Sequence, residues 1–174
     1  RIYLTEEQAV IIFDKRKREQ NNILCSEEEI INNPYCLYER TRGCSSALQI
    51  PVTKIDMAIF PPDIISKSNP IPKPSCLKHG DDERRIRALA INVLEEQTCN
   101  GHTVFPKTML VEEINKLPLD PECQITEDII DVLMDFLEEE FKIIKCANGE
   151  DAFQLNRLFN IDAFIRGELQ KRMK

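Results

Sequence analysis

Five prolines fall within a short stretch, at Pro61, Pro62, Pro70, Pro72 and Pro74. Each lacks a backbone N–H and fixes φ, so repeated proline breaks a helical ladder and disfavours a central strand. The segment 61–80, PPDIISKSNPIPKPSCLKHG, therefore reads as a linker, extended or laid over a surface. It separates an N-terminal part, 1–60, from a C-terminal part, 81–174. The 174 residues leave room for one or two domains. At 42% hydrophobic and 30% charged, the chain has enough apolar content to bury a core. No apolar run reaches the roughly 18 residues of a membrane span. No membrane partner and no signal peptide are therefore read, and the expected location is cytoplasmic.

The N-terminal part reads as a run of helices. Thr5 before Glu6, Glu7 and Gln8 has capping-box spacing, and apolar residues run from Ala9 to Phe13. One helix is expected from there to near Gln20. Lys15, Arg16, Lys17 and Arg18 would sit favourably against the negative end of its dipole. Ser26 and Glu29 form a second capping box, and that helix should stop before Pro34. Asn33-Pro34-Tyr35 can start another through Leu37 and Tyr38. Thr53 is placed to cap a last short helix through Ile55, Met57 and Phe60.

The C-terminal part is more strongly patterned. Asp81 and Asp82 open a helix with Ile86, Leu89, Ala90, Val93 and Leu94 at amphipathic spacing, and Gly101 is placed to end it. His102 to Phe105 is a short extended segment stopped by Pro106. A second helix carries Leu110, Val111, Ile114 and Leu117 and ends at Pro118. Thr126 then caps a third through Ile129, Ile130, Leu133, Phe136 and Leu137. Two short apolar runs flank Asn148-Gly149, a strong hairpin signal. A last helix, 157–172, carries Leu158, Ile161, Phe164, Ile165 and Leu169 on one face. The order of helix, short strand, two helices and hairpin is that of a winged helix over 81–156.

Winged helices often set their third helix into the major groove. Charge argues against that here. Residues 126–141 hold seven carboxylates, at Glu127, Asp128, Asp131, Asp135, Glu138, Glu139 and Glu140, and no Lys or Arg. Of the net charge of −7, the segment 81–156 carries −11, residues 1–60 carry −1, the linker +2 and the last helix +3. Phosphate binding draws on cations and the counterions they release. The cations placed for it are Lys15, Arg16, Lys17 and Arg18, then Arg40 and Arg42, with Arg84, Arg85 and Arg87 as a third group. The run at Lys15–Arg18 reads more readily as a solvated helix end, because four cations are too few to be specific.

Enzymatic signatures are absent from the pattern. The residues after the five glycines are Cys44, Asp81, His102, Glu150 and Glu168, so there is no Gly-Lys-Ser/Thr phosphate loop. Seven cysteines without C-x-x-C spacing, and only His79 and His102, make a zinc site improbable; the thiols read as scattered and cytosolic. No catalytic residue, metal ligand or bound cofactor is assigned. Arg1 in place of Met reads as a piece cut from a longer protein.

Several strings occur together in order: Asn33-Pro34-Tyr35 with Leu37-Tyr38-Glu39, then Asp82-Glu83-Arg84-Arg85-Ile86-Arg87-Ala88-Leu89, Val93-Leu94-Glu95-Glu96, and Gly101-His102-Thr103 with Phe105-Pro106. Over residues 28–170 they resemble the region upstream of the motor in RecD-like superfamily 1 DNA helicases, relatives of the exodeoxyribonuclease V alpha subunit. The resemblance implies a mainly α fold: a helix-hairpin-helix-like part over 1–60, the linker, a winged-helix-like module over 81–156, and a helix over 157–174 leading to the motor. It implies a parent that is an ATP-dependent 5′ to 3′ helicase in DNA repair or recombination, with ATP and Mg held by a motor outside these residues. Partners would then be DNA and that motor. In the family a G-x-G turn follows N-P-Y and approaches phosphate; here only Gly43 is present. The alternative is an acidic interaction module that recruits a basic protein and touches no DNA.

Overall fold

The computed structural model describes residues 2–77 and 79–173. Arg1, Lys78 and Lys174, three of the cations weighed above at the chain start, in the linker and at the end of the last helix, lie outside the described residues. Helix dominates, with one small antiparallel sheet. The chain forms two compact units, Arg1–Ala88 with Pro118–Cys123, and Leu89–Leu117 with Gln124–Lys174. The division falls inside a helix, and the proline-rich segment belongs to the first unit.

The first unit is built from α1 (Glu6–Phe13), α2 (Lys15–Gln20), α3 (Glu27–Asn32), α4 (Cys36–Thr41), α5 (Val52–Ile59), α6 (Asp63–Ser68) and the opening turns of α7 (Glu83–Cys99). The single helix expected up to Gln20 is instead two. Asp14 adopts an extended backbone, and its Oδ1 accepts from the N–H groups of Arg16 at 2.9 Å and Lys17 at 3.3 Å. A short acidic side chain thus offers the backbone a new cap in place of the next helical bond. Both capping boxes form, Thr5 with Gln8 and Ser26 with Glu29. Thr53 does not cap α5, because Pro51 occupies the N-cap position and the helix starts at Val52.

The segment 61–80 is not free of helix either. α6 fits between Pro62 and Pro70, where seven consecutive residues lack proline, and a 3₁₀ turn covers Lys73–Ser75. The Ser75 hydroxyl donates to the Ile31 carbonyl at 2.6 Å, which ties that turn to α3. Ile12, Ile23, Tyr35, Leu37, Ile50 and Ile55 fill the core of this unit.

The second unit holds the rest of α7, then β1 (Phe105–Pro106), α8 (Lys107–Asn115), α9 (Glu127–Val132), α10 (Met134–Leu137), β2 (Phe141–Lys145), β3 (Asp151–Leu155) and α11 (Asn156–Arg172). The stripe read on α7 is real: Ile86, Leu89, Ala90, Val93 and Leu94 are all buried. Gly101, at φ +93°, ends the helix as read. Its N–H returns to the Thr98 carbonyl and that of His102 to Gln97, a Schellman pair that needs a left-handed residue. The third helix is interrupted at Leu133, with φ −90° and ψ 3°, into α9 and α10.

β2 and β3 pair antiparallel from Phe141↔Leu155 to Lys145↔Asp151, and β1 joins the other edge of β3. Five residues, 146–150, separate the two strands. The Gly149 N–H donates to the Cys146 carbonyl, the Cys146 N–H donates to the Glu150 carbonyl, and Gly149 stands at φ +86°. Phe141 and Phe153 meet edge to face at 5.1 Å between ring centroids. α11 carries no buried residue; Phe164 on its apolar face is 69% exposed. Its periodicity defines a face without supplying a cover for it.

Gly149→Ala should cost about 1–2 kcal/mol, because an L-residue must take the left-handed conformation. The readout is a lower urea midpoint at unchanged m value. Gly43→Ala, whose added Cβ meets no atom within 4 Å and whose φ is ordinary, should leave the midpoint unmoved.

Candidate functional site

Three arginines open α7, and the structure spends them inside the first unit. Arg85 is fully buried. Its Nε donates to Asp56 Oδ1 at 2.7 Å and its Nη2 to Asp56 Oδ2 at 2.8 Å, a two-pronged pair. Its Nη1 donates to the Gly80 carbonyl at 2.9 Å and its Nη2 also to Pro121 at 2.7 Å. The Phe60 ring lies 4.5 Å from the guanidinium carbon. The Tyr35 hydroxyl donates to Asp56 Oδ1 at 2.6 Å. Burial, and then the Asp56 carboxylate, push the Tyr35 hydroxyl far above the usual phenol range.

Arg87 makes a second buried pair, Nε to Glu39 Oε1 at 2.9 Å and Nη2 to Oε2 at 3.0 Å. Arg84 bonds Asp82 through Nε and Nη2, each at 2.9 Å, and its Nη1 donates to the carbonyls of Asn32 at 2.6 Å and Pro74 at 2.9 Å. The reading of Arg84, Arg85 and Arg87 as phosphate contacts is thereby corrected. Arg85 and Arg87 are buried against carboxylates, and Arg84 is held by one carboxylate and two carbonyls. Asp56, Phe60, Pro61, Pro118 and Pro121 line a cavity of about 630 Å³ beside the Arg85 pair.

The run at Lys15–Arg18 divides in the same way. Lys15, Arg16 and Lys17 are exposed on α2. Arg18 is 2% exposed. Its Nη1 donates to the Ile12 carbonyl, its Nε to Cys25 at 3.2 Å, and its Nη2 stands 3.9 Å from Glu27. Arg18 therefore ties α1 to the segment after α2 and has no face toward a phosphate, which corrects its place among the candidate contacts. Arg40 is exposed on α4, and Arg42 is half-buried beyond its end. Lys15 and Arg18 line one cavity of about 410 Å³ together with Cys25, Ser26 and Glu27.

On the acidic helices, Asp128, Asp131, Asp135, Glu138 and Glu139 are exposed. Lys107, from the start of α8, donates to both oxygens of Asp131 at 2.9 and 3.0 Å and lies 3.5 Å from Glu127. The hydrogen bond to Asp131 holds the Lys107 ammonium above its usual range. Glu140 is buried and so does not belong to this face.

The residues present do not fit the ATP and Mg of a helicase motor. Gly101 ends a helix, Gly149 turns a hairpin, and Gly80 is pressed against the Glu122 carbonyl, where an added Cβ would come within 2.6 Å. None of them opens a phosphate-cradling loop. Among the described residues no three His, Cys, Asp or Glu side chains gather to hold a metal ion. Sequence reasoning missed Asp56, Glu39 and the Tyr35 hydroxyl, whose partners lie 21 to 48 positions away in the chain. The one local signal was the position of Asp56 and Glu39 directly beside the apolar residues Ile55 and Leu37-Tyr38. Comparison with family models, with curated proteins and with solved structures returns no match for this chain.

Arg85→Ala strands the Asp56 carboxylate in the interior and should destabilise the first unit by about 3–5 kcal/mol, read by chemical denaturation. Tyr35 supplies a pH signature. An unfolded tyrosine ionises near pH 10, as in model peptides, while the folded Tyr35 keeps its proton. Its contribution is thus complete below about pH 10 and declines above it, by up to about 1.4 kcal/mol per pH unit. Tyr35→Phe should flatten that alkaline decline in unfolding free energy measured against pH.

Proposed function

We propose that this chain is a non-catalytic accessory part of an ATP-dependent, RecD-like DNA helicase, which positions DNA or docks the motor. The observation that carries the reading is the order of elements in the second unit: helix, short strand, helix, a split third helix, hairpin, helix, with the short strand on the outer edge of the hairpin. That order supports a winged-helix reading of 81–156, because the short strand between the first two helices pairs with the wing. The Asn33-Pro34-Tyr35 turn that leads into α4 supports a helix-hairpin-helix-like part over 1–60. DNA contact then falls to Lys15, Arg16 and Lys17 on α2 and to Arg40 and Arg42 around the end of α4, not to α9 and α10. A carboxylate-rich helix face repels phosphate, whereas exposed cations release counterions from it.

The exposed carboxylates Asp128, Asp135, Glu138 and Glu139 favour a second reading, an acidic module that recruits a basic protein without touching DNA.

Fluorescence anisotropy with single-stranded and forked DNA across a salt series tests the first reading. Charge reversal at Lys15, Arg16 and Lys17 together should weaken binding and lower the slope of log affinity against log salt by about 2 on a single strand. Absence of binding at low salt, or an affinity unmoved by the triple reversal, removes the DNA role and leaves the acidic module. That module predicts loss of a basic partner on Glu138→Lys with Glu139→Lys.

A further inference from the structure

The cavity beside the Arg85 pair has a lining of uneven chemistry. Its walls are the end of α5, the stretch from Phe60 to Asp63, and the 118–121 segment, all within the first unit. Four of its eleven lining residues are prolines, which bring carbonyl acceptors and no N–H. Met57, Phe60 and Leu119 add apolar surface, and Met57 is 66% exposed. Asp56, Asp63 and Asp120 share the lining, with no Lys or Arg among the described residues that form it. Arg85 answers Asp56. Asp63 and Asp120 are exposed, and neither has an ion-pair partner among the described residues. The cavity therefore keeps two uncompensated negative charges, Asp63 on one wall and Asp120 on the other. Both walls hang on the Asp56–Arg85 pair. The Phe60 N–H donates to the Asp56 carbonyl at 2.8 Å, and Arg85 Nη2 donates to the Pro121 carbonyl at 2.7 Å. Walls pinned in this way, and stiffened by proline, need little ordering when a ligand enters.

We propose that this cavity takes an arginine side chain from a peptide segment of a partner protein, with an apolar residue next to that arginine. A guanidinium is all donor and no acceptor, and its planar fork suits carboxylates. It meets a lining rich in acceptors and short of cations, so charge and hydrogen bonding agree. A lysine ammonium is compact and strongly hydrated, and it gives up more water for fewer directed bonds. The apolar neighbour covers Met57 and Leu119, which the arginine alone would leave wet. A volume of about 630 Å³ holds two side chains and not a folded element. Phosphate and nucleic acid are excluded by the same two carboxylates that favour the arginine. The site uses none of the cations on α2 or α4 and none of the carboxylates on α9 and α10, so it stands apart from both functional readings above.

The test titrates the full, isotope-labelled chain with the peptide acetyl-Ala-Leu-Arg-Leu-Ala-amide and follows backbone amide shifts by NMR. The amides of Met57, Phe60, Asp63, Leu119 and Asp120 should move together and saturate. The same peptide with citrulline for arginine keeps the shape and loses the charge, and it should bind about tenfold more weakly. Asp63→Asn with Asp120→Asn should weaken the arginine peptide by about tenfold and leave the urea midpoint in place, because both side chains are exposed. Should that double variant lower the midpoint, the citrulline comparison on the unaltered chain decides. Equal binding of the two peptides, an affinity unmoved by the double variant, or shifts confined to α9 and α10 overturns the proposal. Movement of the same amides with protein concentration and no peptide places a second copy of this chain in the cavity and overturns it as well.

Discussion

A guanidinium cannot shed its charge in a protein, so an arginine with no exposed surface must bring its counter-charge and its acceptors inside with it. Arg85 does this in the first unit. Asp56 takes the two prongs, and the Gly80 and Pro121 carbonyls take the remaining directions. Each partner comes from a different stretch of chain: α5, the turn before α7, and the 118–123 segment that joins this unit from far along the sequence. Even Gly80 is dictated by that meeting, since a Cβ there would strike the Glu122 carbonyl. Such a pair adds little net stability over apolar packing, because desolvation offsets the attraction. What it imposes is geometry: the carboxylate and both carbonyls meet one guanidinium, and the Tyr35 hydroxyl donates to the same carboxylate.

This pairing also marks where the sequence was legible. Local rules found both capping boxes, the Gly101 stop, the hairpin at Asn148-Gly149 and the buried stripe of α7. All of these are decided by residues within a few positions of one another. The same rules placed an apolar face on α11, and Phe164 and Ile165 on it are exposed, because periodicity reports a face and not a neighbour. The break at Asp14 was missed because a cationic run after an apolar one looks like one helix until the Asp side chain turns back on the backbone. The misreading of Arg18, Arg84, Arg85 and Arg87 has a single cause. A cation in a sequence looks exposed by default, and only the fold reveals a carboxylate or carbonyl brought to it from tens of residues away.

Counting only the cations left at the surface redraws the charge map. In the first unit Arg18, Arg85 and Arg87 are consumed internally, which leaves Lys15, Arg16, Lys17 and Arg40 as the outward positive charge on α2 and α4. In the second unit Lys107 is drawn into the acidic helices and answers Asp131 and Glu127, so the negative excess there is smaller at α9 than the sequence count suggests and is concentrated toward Glu138 and Glu139.

Of the strings set beside the RecD-like helicases, those at 33–39 and 82–88 hold the first unit together, and those at 93–106 lie in the second unit. Tyr35 of Asn33-Pro34-Tyr35 bonds Asp56, which bonds Arg85 of the arginine-rich string; Glu39 bonds Arg87; the Asn32 carbonyl accepts from Arg84. Packing residues do not by themselves speak for an activity, since function resides in sites placed on a fold and not in the fold itself. The arginines of that string cannot both neutralise buried carboxylates and meet phosphate. Any contact with DNA has to come from side chains outside the resembling strings or at their margins, and the exposed cations of α2 stand there.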